Sequence, residues 1–196
     1  MSQFTVLALS GSLRQGSLNT GLLRAAQRLA PENLTIEIYD RLAEIAPFNE
    51  DVEQRELPEP VADLRARVKA ADGLLIATPE YNYGAPGVLK NALDWTSRPD
   101  FPVTAWVSPL AHKPVAILGA APTALGTVRA QLALRQLFLW TDSAIVTKPE
   151  VIVMNAHEKL AADGTIHDPQ TEQLLSGLLD ALVTKIRVTE LATTAA

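Results

Sequence analysis

The run Phe4-Thr5-Val6-Leu7-Ala8-Leu9 is followed by Ser10-Gly11-Ser12-Leu13-Arg14-Gln15-Gly16-Ser17 and then by the amphipathic stretch Leu18–Leu29. Read in order, these are a strand, a Ser/Gly-rich loop and a helix. The strand has no polar face, as expected of a parallel strand covered on both sides. The same alternation continues along the chain. Leu34–Tyr39 reads as a second strand, and residues 74–77, 115–118 and 144–147 as a third, fourth and fifth. Between them, Val61, Leu64, Val68 and Ala71 recur at helical spacing, and Asp72-Gly73 is expected to stop that helix through a left-handed glycine. Residues 87–95 and Val128–Trp140 read as further helices. Five strands alternating with helices predict a doubly wound α/β sheet with helices on both faces.

The 196 residues suit one domain over 1–196, with a frayed tail from about residue 191. With 47% hydrophobic residues the chain can bury a real core. There is no cysteine, which excludes disulfides, thiolate zinc and cysteine-ligated iron–sulfur clusters. Redox chemistry here would need a bound cofactor. The net charge of −5 argues against a nucleic-acid partner. The first residues show no targeting signal, and the weakly polar stretch 115–128 is broken by Gly119, Pro122 and Gly126. A soluble cytoplasmic protein with no membrane partner is expected.

The first loop lies where an open α/β sheet binds ligands, beyond the carboxyl end of a strand. Ser17 suits the helix cap, and the helix start attracts an anion. Ser10, Ser12 and Asn19 add donors, and Arg14 adds a forked charge suited to phosphate. The loop is not a Walker A, because Ser17 stands where the lysine belongs, and it is not GxGxxG. A Ser/Gly-rich turn with an ordinary cap is the alternative. After the third strand comes Thr78-Pro79-Glu80-Tyr81-Asn82-Tyr83-Gly84-Ala85-Pro86-Gly87, a rigid loop able to border a planar heterocycle. Its alternative is a turn whose tyrosines plug a core edge.

With residues 11–19, Pro79-Glu80-Tyr81-Asn82-Tyr83 and Leu89-Lys90-Asn91-Ala92-Leu93-Asp94-Trp95 in this order, the chain resembles the NADPH-dependent FMN reductase family over about residues 4–190. Pro47-Phe48-Asn49-Glu50-Asp51 and Arg129-Ala130-Gln131 fall where the family has similar stretches. The resemblance implies a flavodoxin-like sheet in the order 2-1-3-4-5 and non-covalent FMN. Ser10, Ser12, Arg14, Ser17, Leu18 and Asn19 would hold the phosphate, and Pro79, Glu80, Tyr81, Asn82 and Tyr83 would line the isoalloxazine. Ala120 and Ala121 would contribute from a third loop, residues 119–126. Gly126-Thr127-Val128-Arg129 departs from the family's glycine pair before the Arg-Ala stretch. The segment 97–114 looks longer than in many relatives, with Trp106 a candidate for the substrate mouth.

The implied activity is hydride transfer from NADPH or NADH through flavin N5 to quinones or similar acceptors: chromate, azo compounds, free flavin. It needs no side-chain triad, because flavin carries the chemistry. The alternative is a flavodoxin-type electron carrier reduced by a partner protein. A non-redox anion-binding domain is a further rival. His112, His157 and His167 are scattered, so surface positions are expected and no metal site. Glu80 is expected to shape backbone or an interface rather than act as a base. Lys90 and Asp94 should form an exposed pair, and residues 49–56 a solvated acidic face. In Val128–Trp140, Leu132 and Leu139 fall on one side, Leu134, Leu137 and Phe138 on another, and Trp140 elsewhere. One stripe can cover the sheet and the other calls for a partner, which the resemblance makes a homodimer or homotetramer.

Overall fold

The computed structural model describes residues 2–99 and 107–194, so Trp106 lies outside the described residues. Strands β1 (Phe4–Ser10), β2 (Leu34–Tyr39), β3 (Gly73–Ala77), β4 (Pro114–Ala120), β5 (Ala144–Ile145) and β6 (Val151–Val153) are all parallel. Their order is β2-β1-β3-β4-β5, with β6 also paired to β4. Val6 lies opposite Ile36 on one side and Gly73 on the other. The chain thus leaves β1 toward β2 and later returns to pair β3 against the opposite edge. That reversal opens a crevice at the carboxyl ends of β1 and β3.

Two cores cover the sheet. On one face, α1 (Leu18–Leu29) contributes Leu22, Leu23, Ala25 and Ala26, and α7 (Pro169–Thr194) contributes Leu175, Leu178, Leu179, Leu182 and Ile186. On the other, α3 (Glu59–Ala70), α4 (Gly87–Thr96) and α5 (Val128–Trp140) bring Val61, Leu64, Val68, Leu89, Trp95, Leu134 and Phe138. Short helices α2 (Glu50–Glu53) and α6 (Ala156–Lys159) complete the chain. Leu132, Leu139 and Trp140 on α5 are 53%, 78% and 82% exposed, so the second stripe of that helix is uncovered in the single chain.

Several local expectations need correction. The fifth strand is split: β5 ends at Ile145 and pairing resumes at Val151. Pro149, between the two pieces, has no N–H to donate to a ladder. Second, α3 ends in ordinary backbone at Ala71 (φ −72°), without a left-handed glycine. Gly73 instead opens β3, where the absent Cβ leaves room for Pro114 and Ile186. Third, the acidic stretch 49–56 is not wholly solvated. Glu53 is buried and accepts from Arg98 Nε at 2.8 Å, with Arg65 on its other side. The last helix, α7, runs as far as Thr194.

The Leu89–Trp95 stretch has a visible structural task. Asn91 accepts from the Phe48 N–H at 2.8 Å and donates to the Ala46 carbonyl at 2.9 Å. Trp95 Nε1 donates to the same carbonyl at 2.8 Å, and its ring meets Phe48 edge-on at 4.8 Å. These bonds pin the long segment after β2 onto α4. Lys90 and Asp94 pair at 2.6 Å on the exposed side of that helix.

Candidate functional site

Three loops meet at the carboxyl ends of β1, β3 and β4. The first begins at Gly11, whose N–H donates to Ala77 O at 2.8 Å. A Cβ at Gly11 would stand 2.8 Å from Pro86 Cγ and 3.1 Å from Pro79 Cδ. Only a residue without a side chain lets the first loop close onto the second here. Farther along, the Ser17 hydroxyl accepts from the Thr20 N–H at 3.2 Å and caps α1. The helix's first N–H groups have no intrahelical partner by construction. Arg14 is exposed, and its guanidinium donates to Gly16 O at 3.1 Å. A helix start and an exposed guanidinium on one loop suit an anion.

Ser10 and Asn19 are held by bonds within the protein. The Ser10 hydroxyl bonds the Thr20 hydroxyl at 2.8 Å. Asn19 is buried, donates to Ala120 O at 2.9 Å and accepts from Ala120 N–H at 2.9 Å. Its amide therefore satisfies both backbone groups at the end of β4 and clasps the first loop to the third. Spacing along the sequence gave no sign of this clasp, because its partners are a hundred residues apart.

In the second loop, Thr78 is buried and its hydroxyl donates to Pro79 O at 2.8 Å. Tyr81 and Gly84 exchange two backbone bonds, at 3.1 and 3.0 Å, around Asn82 and Tyr83. Both central residues have positive φ, 49° and 66°, which defines a mirror-image hairpin turn. Tyr81 and Tyr83 are both exposed, at 49% and 71%. Glu80 turns away from the loop. It accepts from the Arg129 and Ala130 N–H groups at 2.9 and 3.2 Å, and from Arg129 Nη1 at 2.9 Å. Burial alone pushes the Glu80 carboxyl up. The Arg129 guanidinium and the two N–H groups outweigh it and hold the carboxyl below the ordinary range. An anchored, ionised group of this kind shapes backbone and does not donate a proton.

The third loop follows β4. Ala120 gives its N–H to Asn19, and Ala121 gives its N–H to Val153 O at 3.1 Å. Both alanines are buried, whereas Thr123, Ala124 and Leu125 are exposed beyond them. The three loops thus bring together the residues the sequence singles out. The histidines lie apart and exposed. Among the described residues no group of three His, Asp or Glu side chains could hold a metal. A cavity of about 850 Å³ opens at the other end of the sheet, beside Phe4, Asp72, Lys113 and Arg187, and contains none of the loop residues.

Residues 4–158 match the family model for NADPH-dependent FMN reductase. An NAD(P)H-dependent FMN reductase of Pseudomonas aeruginosa is 43% identical over 182 residues, covering 93% of this chain and 95% of that one. A quinone reductase of Escherichia coli is 38% identical over 180 residues, covering 90% and 88%. The solved structure of a flavoenzyme NAD(P)H:(acceptor) oxidoreductase from Paracoccus denitrificans superposes with a TM-score of 0.83 at 34% identity, over 95% of this chain and 98% of that one. Sheet order, loop placement and a family match that spans all six strands lead to one conclusion: this chain belongs to the NADPH-dependent FMN reductase family.

Proposed function

We propose that the protein is an FMN-dependent NAD(P)H reductase whose acceptors are quinones and related small molecules. The observation that carries this reading is the closure of the first loop onto the second at Gly11, which joins an anion cradle and a ring platform into one crevice. In it, Ser12, Arg14 and the α1 start at Ser17 and Leu18 would take the FMN phosphate. Ser10 and Asn19 would build that cradle through Thr20 and Ala120. Pro79, Tyr81 and Asn82 would border the isoalloxazine, with Glu80 and Tyr83 bracing them. Ala120 and Ala121 would supply a close apolar wall, because their N–H groups are spent on Asn19 and Val153. Polar contacts from the third loop would then come from residues 123–125. Bound FMN supplies two-electron transfer between a nicotinamide and an acceptor. The exposed tyrosine side of the crevice leaves room for donor and acceptor to use the same place in turn.

Visible absorbance before and after anaerobic NADPH tests the reading. A yellow protein that bleaches with NADPH or NADH alone supports it. A yellow protein that neither nucleotide bleaches is an electron carrier, and a chain that takes up no FMN has neither role. Arg14→Ala should weaken FMN binding by about 1.5–3 kcal/mol, the worth of one charge-assisted bond, and leave the fold intact. Fluorescence titration with FMN checks this, and unchanged affinity removes Arg14 from the site.

The uncovered stripe of α5 fits a second copy of this chain, making a homodimer or a homotetramer built as a dimer of dimers. An isologous contact places the same stripe on both sides, Leu132, Leu139 and Trp140 against their counterparts. Replacing both Leu139 and Trp140 by Glu should shift the sedimentation profile to monomer at micromolar protein. An unchanged oligomer would place the contact elsewhere.

A further inference from the structure

The ring-side turn adopts a conformation that one of its residues disfavours. Asn82 and Tyr83 both have positive φ. Asparagine visits that region readily and tyrosine does not, and the usual sequence of such a turn is Asn-Gly. A force from outside the turn must hold the tyrosine there. The Arg129 guanidinium lies 3.8 Å from the centroid of the Tyr83 ring. Arg129 is in turn gripped by Glu80, which also takes the two N–H groups at the start of α5. A chain of direct contacts therefore runs from the α5 start through Glu80 and Arg129 to the tip of the turn. Glu80 lies on the loop itself, so the latch closes the loop's base and its tip against one helix.

We infer that Glu80 and Arg129 are positioning residues that latch the ring-side turn in its left-handed form, and that the acceptor end of the site depends on the latched turn. The second clause rests on the reductase reading above, which assigns this loop to the ring. The latch itself does not, because it is a property of the chain alone. Lysine at position 129 could keep the charge on Glu80 but could not lie flat on the tyrosine.

Glycine adopts positive φ without strain, so Tyr83→Gly makes the latch unnecessary and supplies the test. Arg129→Ala is made in the wild-type chain and in the Tyr83→Gly chain. Two readouts are taken: amide exchange at Gly84 and Tyr81 in the flavin-free protein, and KM for benzoquinone in the FMN-loaded enzyme. In the wild-type background the substitution should speed exchange and raise KM, each by about tenfold, as expected for coupled neighbours. In the Tyr83→Gly background it should change either by less than about twofold. Arg129→Lys should fall between, and it carries the same comparison if the alanine variant folds poorly. Equal effects in both backgrounds would show that Arg129 serves α5 and not the turn, which overturns the inference. Unchanged exchange in wild-type Arg129→Ala would overturn it as well. If the wild-type chain takes up no FMN, the reductase reading fails, and the exchange experiment still decides the latch.

Discussion

Asn19→Ala should cost the fold about 2–6 kcal/mol and remove stoichiometric FMN binding, because two buried backbone groups lose their partner at about 1–3 kcal/mol each. Those groups are the N–H and carbonyl of Ala120, both bonded to the Asn19 amide at 2.9 Å. Ala120 and Asn19 are both buried, so water cannot readily replace the amide. The loss would also free the third loop from the first, which couples stability to cofactor affinity. Urea unfolding of the flavin-free protein measures the first effect and FMN titration the second. Asn19→Asp is the informative companion. It retains an acceptor for the N–H but sets a carboxylate against the Ala120 carbonyl, so it should also be strongly destabilising. If both variants stay within about 0.5 kcal/mol of wild type, as surface substitutions do, the clasp has no energetic role.

Gly119→Ala should destabilise by about 1–3 kcal/mol or more, the range for overpacking a closely packed interior. A Cβ there would lie 2.5 Å from Thr78 O and closer still to Thr127 Oγ1. The threonine hydroxyl could rotate away, but the Thr78 carbonyl is backbone at the end of β3. It cannot withdraw without straining the bond from Thr78 N–H to Leu118 O, which is 2.9 Å long. Thr127→Ala in the same chain should therefore recover only part of the loss. Full recovery, seen as restored thermal unfolding, would show that the side chain rather than the strand backbone sets the limit.

Much of the fold was legible because its signals are local. The Leu18–Leu29, Leu34–Tyr39 and Val128–Trp140 elements follow from apolar spacing and match the observed bounds. The Ser17 cap followed from residue type and position. The helix Pro169–Thr194 was missed although its signals were available. Pro169 sits at its start, Asp168 accepts from the Thr171 N–H, and Leu175, Leu178, Leu179, Leu182 and Ile186 recur at helical spacing. The split of the outer strand depended on Pro149, a breaker that a short apolar run conceals. At the site, loop positions were legible and side-chain tasks were not. The place of Asn19 in the loop makes it a candidate phosphate donor, and nothing local in the sequence shows that its amide bonds to Ala120. Glu80 was recognisable as a shaping residue, but its partner Arg129 lies 49 positions away. Long-range pairs of this kind leave no periodic trace in a single sequence.

The split outer strand has a consequence for how copies of this protein can meet. An intact edge strand offers a row of unsatisfied N–H and carbonyl groups on which another chain can template itself. Here that flank is two fragments, of two and three residues, separated by a stretch that contains a proline. Neither fragment is long enough to set a register for an incoming strand. On this flank the protein is protected against sheet-to-sheet growth into fibres.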